Sequence, residues 1–263
     1  MLFEYMDAQI LRTPKGLDWL QTLTGALLQG GLMAAMQNIR LLHCTMWAEC
    51  AMEVVFADES ETKFLLTDHP VTLYNKECFP LSQYCRYPNE PFTELVGTQT
   101  IFPLDLNHCF ILTNLEYANS PKAKPELLLK SRINARYHKQ TVLRTDAVIR
   151  KRHLIDSEVM TINYILKQRA RRYIAAINEN WLYPERVIRT PMWNKLAAVL
   201  LPPKNELYKF GGEIYIGGNN GKLLWYQDGF GHTVKDQAEA QYRQEHADEI
   251  KRHLDQLLNK KSE

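Results

Sequence analysis

No two cysteines in this chain stand at C-x-x-C spacing, and their number, five, is odd. Together these facts argue against a disulfide framework or a zinc site, and for reduced thiols in a cytoplasmic protein. A charge excess is also missing. Lys and Arg number 32 against 30 Asp and Glu, and the net +2 gives no global reason to expect nucleic acid or an anionic membrane. No run reaches the roughly 18 apolar residues of a membrane span. The most apolar stretch, 17–36, is broken by Asp18, Gln21, Gln29 and the pair Gly30-Gly31. The opening Met1-Leu2-Phe3-Glu4 carries no basic region of a signal peptide. There is no repeat and no low-complexity tract. What is present is ordinary for a soluble globular protein: 45% apolar and 24% charged residues over 263 positions, enough for one large domain or two small ones.

Hydrophobic periodicity orders the chain. Phe3, Met6, Ile10 and Leu11 predict a helix over 2–12 that lacks an N-cap, as if the element began further upstream. Thr13-Pro14 then reads as N-cap and first turn of a second helix reaching about Gln29. Gly30-Gly31 interrupts it, and a third helix covers 32–46. The runs 52–56 and 63–67 flank the acidic turn Asp58-Glu59-Ser60-Glu61 and read as a hairpin. Two more strands follow at 100–104 and 109–112. Between them and the hairpin lies 75–98, with Pro80, Pro88 and Pro91, a connection long enough to suggest function or mobility. Ile155, Val159, Ile162, Leu166, Tyr173 and Ile177 mark a long helix over 155–177. A proline-punctuated connection then leads to a hairpin around Gly217-Gly218-Asn219-Asn220-Gly221 and a charged helix over 235–260. The fold class is α+β, with a helical N-terminal part and a small, mostly antiparallel sheet. The expected organisation is a core over 1–180, with the C-terminal hairpin and helix of 181–263 packed on it.

The candidate site starts at Thr67-Asp68-His69-Pro70-Val71, where proline stops a short apolar strand. Asp68 and His69 project from opposite faces of a strand, so they need not act as a pair. Two readings stand. In one, Asp68 caps backbone N–H groups, as Asp before a turn commonly does. In the other it binds a divalent metal or orients a base, with His69 or His108 supplying an imidazole. His108 faces Asp68 if their strands pair. A metal site needs further acids, for which Asp105 and Glu53 are the nearest candidates. Arg150-Lys151-Arg152-His153 with Lys167, Arg169, Arg171 and Arg172 is the one local argument for a polyanion, against the plainer reading of a solvated basic face. Asn163 follows the apolar-stripe residue Ile162 and is expected to point inward, where a buried amide needs partners and is a candidate specificity or site residue. The glycines of 217–221 lack the Lys-Ser/Thr and helix of a phosphate loop, and Cys78 and Cys85 lack a positioned histidine.

Gln9-Ile10-Leu11-Arg12-Thr13-Pro14, Phe64-Leu65-Leu66-Thr67-Asp68-His69-Pro70-Val71, Ile101-Phe102-Pro103-Leu104 and a helical Asn163 follow in one order. This pattern resembles the bacterial domain-of-unknown-function family numbered forty-two thirty-eight over roughly residues 3–180. Its members show Q-x-L-R-T-P, S-D-N-P-V and P-L-S-P. The chain resembles a member lacking the usual N-terminal part, and His69 stands where the family has asparagine. The resemblance implies an Arg12–Asp68 pair, set against an Arg12 that serves only the last carbonyls of its helix. Two functions follow as expectations. One is a nucleic-acid-directed hydrolase or toxin-like effector using Asp68, His69, Arg12 and His108, with Asn163, Arg169 and Arg172 in binding. The other is a non-catalytic binding or interaction module whose charged C-terminal helix docks a protein partner.

Overall fold

The computed structural model describes residues 2–25, 28–132, 149–188, 192–202, 214–217, 222–227, 234 and 236–259. It is α+β. Helix α1 (Leu2–Leu11) meets α2 (Pro14–Thr24) at Thr13, which is extended and accepts the Gly16 N–H on Oγ1 at 3.1 Å. Pro14 occupies the first turn, where a missing N–H costs nothing. Helix α2 stops earlier than its pattern suggests. Gly25 adopts a left-handed conformation at φ 64° and closes onto the Gln21 carbonyl. Gly30 and Gly31 therefore sit in the first turn of α3 (Gln29–Ala48) instead of breaking a helix.

The chain continues through β1 (Cys50–Phe56), β2 (Leu66–Thr67), β3 (Thr72–Asn75), β4 (Thr98–Pro103) and β5 (His108–Asn114). The short helices α4 (Leu115–Asn119) and α5 (Pro125–Leu128) precede β6 (Ile149–His153). The main sheet has the order β3-β4-β5-β1-β6. Its pairs are antiparallel except β1–β6, which is parallel. The hairpin expected between 52–56 and 63–67 does not form. Both edges of β1 are taken by β5 and β6, and the 63–65 backbone is held instead by a side chain. Asn163 accepts the Leu65 N–H at 3.0 Å and donates to the Lys63 carbonyl at 2.8 Å.

Asn163 lies on α6 (Asp156–Arg169), which packs on one face of the sheet while α1 and α3 pack on the other. The continuous apolar run of β5 serves both. Cys109 and Ile111 enter the core under α6, and Phe110 and Leu112 enter the core under α1 and α3. Helix α6 ends at Arg169, short of the expected 177, and Tyr173 and Ile177 are exposed at 70% and 76%. The departing chain forms β7 (Ile174–Ala175) against β2.

Residues beyond 180 complete the same core. Tyr74 donates to the Trp193 carbonyl at 2.6 Å, Trp193 Nε1 donates to the Asn75 carbonyl at 2.9 Å, and Gln99 donates to Leu200 in α7 (Ala197–Leu200) at 3.0 Å. The chain accordingly divides into Met1–Lys209 and Phe210–Glu263, not at 180. In the second unit, β8 (Ile214–Gly217) pairs antiparallel with β9 (Leu223–Gln227), and α8 (Gln237–Asn259) follows. The turn residues 218–221 lie outside the described residues. Glu239 and Arg243 pair at 3.5 Å, whereas Arg252 bonds the Asp248 carbonyl instead of its carboxylate. Among the described residues no helix is long and apolar enough to cross a membrane.

Candidate ligand-binding site

Asp68 and His69 do point apart, and each has a different fate. Asp68 accepts the backbone N–H groups of Arg171, Arg172 and Tyr173 at 2.9, 2.8 and 3.2 Å. Partial burial alone would raise its pKa, but these three donors hold it below the ordinary carboxylate value. The acid therefore ties the chain leaving α6 to the end of β2, and its oxygens are occupied by that task. Arg12 is exposed and makes no ion pair with Asp68. His108 pairs with Asp105 at 2.8 Å and packs edge-on against Phe56, so it does not face Asp68. The acid–imidazole–arginine centre expected from sequence is not assembled. Glu53, the other suggested acid, is held in a two-point contact with Arg152, both distances being 3.2 Å.

The expected basic face is likewise dispersed. Lys167 pairs with Glu185 at 2.8 Å and Arg171 with Asp18 at 3.0 Å, while the Arg172 side chain is exposed. Arg169 is buried at 2% exposure. The side chains of Arg150 and Lys151 lie outside the described residues. Asn163 is fully buried, and its amide is used on both sides by the 63–65 backbone.

His69 leads elsewhere. It is buried at 2% exposure, with Nδ1 3.0 Å from Thr13 Oγ1. Its Nε2 lies 3.2 Å from Glu90 Oε2, out of line for a hydrogen bond. Glu90 comes from the proline-rich connection and reaches into the same space, where Lys15 of α2 donates to it. Lys15 also donates to the Arg169 carbonyl at 2.6 Å, capping the C-terminus of α6, and Arg169 Nε is 3.5 Å from Glu90. One buried carboxylate thus serves Lys15, Arg169 and His69. Burial by itself would raise the Glu90 pKa, but the three neighbours hold it far below the carboxylate range. Burial pushes the Lys15 ammonium down, with Glu90 opposing. Close packing of α1 on α2 makes this possible. A Cβ on Gly16 would stand 1.9 Å from the Ile10 carbonyl oxygen, so only glycine permits the approach.

Beside this cluster lies an apolar cavity of about 140 Å³ between α1, α2, α3 and the 88–94 loop. Ile10, Trp19, Leu23, Ile39, Leu42 and Phe92 form most of its wall, and Lys15, His69 and Glu90 lie along one side. A second imidazole, His43 of α3, lines it as well. His43 Nδ1 is 2.9 Å from Asp7 Oδ1, and Arg40 holds the other oxygen of that fully buried carboxylate at 3.2 Å. Trp47 packs against the ring at 5.2 Å.

The cavity therefore brings together His69 with Lys15, Glu90 and His43, and Asp7 holds His43 from outside its wall; these four partners of His69 and the cavity were missed in the sequence. Two carried a signal. Asp7 lies between Met6 and Ile10 on the inner stripe of α1, and His43 falls at helical spacing from Ile39 and Met46; a polar residue inside an apolar stripe is a buried polar group needing a partner. Lys15 and Glu90 carried none, because their pairing joins positions 75 residues apart. Among the described residues no three His, Cys, Asp or Glu are grouped to hold a metal ion. Compared with protein-family models, curated proteins and solved structures, the chain matches none.

Proposed function

We propose that this protein is a non-catalytic binding module that takes up a compact, mainly apolar small molecule in the cavity between its first three helices and the 88–94 loop. The cavity itself carries the reading. At about 140 Å³ with an apolar wall, it matches in size an engineered void of roughly 150 Å³ that stays dry and binds benzene. A single ring fits; a nucleic-acid strand does not. The nucleic-acid hydrolase reading needs Asp68 oxygens that the 171–173 backbone occupies. The free state of all five cysteines supports a cytoplasmic setting. Membership of the bacterial family named above stays part of the proposal and rests on the motif order alone.

The test is a titration of the full chain with toluene, read by calorimetry and by the rise in melting temperature. A ligand at about one hundred times its Kd raises stability by roughly 2.7 kcal/mol. Leu42→Trp should fill the cavity and abolish the response. Failure of toluene to stabilise the wild type, or an equal response in the filled variant, would remove the reading. Degradation of RNA or DNA that survives in Leu42→Trp and is lost in Asp68→Ala would restore the hydrolase.

A further inference from the structure

We propose that the cavity selects a neutral ring carrying one hydroxyl group, which donates its proton in a hydrogen bond to Nε2 of His43. This rests on the cavity being a ligand site and goes on to name the ligand's polar group. The buried Asp7 carboxylate can only accept, and it lies 2.9 Å from Nδ1 of His43, so Nδ1 carries a hydrogen and the uncharged form of the ring has its lone pair on Nε2. That nitrogen has no hydrogen-bond partner among the described residues, although the ring is only 4% exposed and lines the cavity. A ring nitrogen on the cavity wall with no partner from the protein is the polar feature that a ligand's donor would satisfy.

The charges argue for a neutral ligand. Asp7 is balanced by Arg40 at 3.2 Å, and Lys15 is paired with Glu90. Glu94 also lines the cavity, so among the described lining residues two carboxylates stand against one ammonium, which disfavours an anion. A ligand without any donor would leave His43 unsatisfied. The cavity volume holds one six-membered ring with a single substituent. A phenol is the smallest molecule meeting these conditions.

Phenol and toluene are nearly equal in size and differ in the donor, and they separate the two ideas. An apolar cavity alone would favour toluene, because the phenol hydroxyl loses its water on entry. With His43 as acceptor, phenol should bind the full chain roughly tenfold more tightly than toluene. In His43→Phe, which keeps the ring, that preference should reverse. Should His43→Phe fail to fold, the imidazole ¹⁵N signals of the wild type decide. Phenol must shift the Nε2 resonance of His43, and toluene must not. Toluene binding as well as phenol, a preference that survives His43→Phe, or an unmoved Nε2 would overturn the proposal and leave the cavity standing. Binding of neither compound would remove both.

Discussion

Replacing Glu90 with Gln keeps the outline of the side chain and removes its charge. Lys15, Glu90 and Arg169 have side chains exposed at only 6%, 8% and 2%, so water cannot substitute for the lost carboxylate. Removing one partner from a buried ion pair costs about 3–5 kcal/mol. That is a large part of the roughly 5–15 kcal/mol by which a domain is stable, and corresponds to a fall of about 6–20 °C in melting temperature for a unit of this size. Urea denaturation at pH 7, followed by circular dichroism, measures it. The pH dependence supplies a second check. The folded-state pKa of Glu90 lies below its unfolded value of 4.5, so its contribution is complete above pH 4.5 and is lost as the pH falls further. The wild type should therefore lose stability in acid more steeply than Glu90→Gln, and the two curves should approach each other. A deficit under about 1 kcal/mol at pH 7, the range of exposed pairs, would show that these charges are hydrated and that the cluster is not a buried unit.

Asp68→Asn should cost about 1–3 kcal/mol by weakening three N–H bonds, without changing toluene binding. Because the Asp68 carboxyl titrates below 3.8 in the folded chain, part of the wild type's loss of stability below that pH should be absent from the variant. Asn163→Ala leaves the Leu65 N–H and Lys63 carbonyl buried without partners, and a destabilisation of about 2–5 kcal/mol is expected in urea; a value near zero would mean that water replaces the amide. Gly16→Ala must separate α1 from α2, at a cost of about 1–3 kcal/mol or more, and should weaken toluene binding, since Gly16 also lines the cavity; unchanged stability and affinity would show that the helices are not in contact there.

Local rules made much of the fold readable. Thr13-Pro14 marks the start of α2 because capping needs only neighbouring residues, and the alternation that fills two cores from β5 lies within one strand. Errors arose where a local signal met a distant partner. The pattern of 155–177 continues past Arg169, but Asp68 takes three backbone donors and the helix ends. The 63–67 run looks like a partner for β1, yet Asn163 claims its backbone.

Capping, turn chemistry and the period of apolar residues act over a few positions, and from these the amino-acid order alone determined that the chain is α+β and where most of its elements lie. The candidate site depends on which buried charges meet. Glu90 finds Lys15 and His69 only once the helices and the sheet have packed and excluded water, and His43 acquires its meaning from the cavity beside it. Charge pairing across the fold has no spacing rule in sequence, because the low-dielectric interior that makes it strong does not exist until the tertiary structure does.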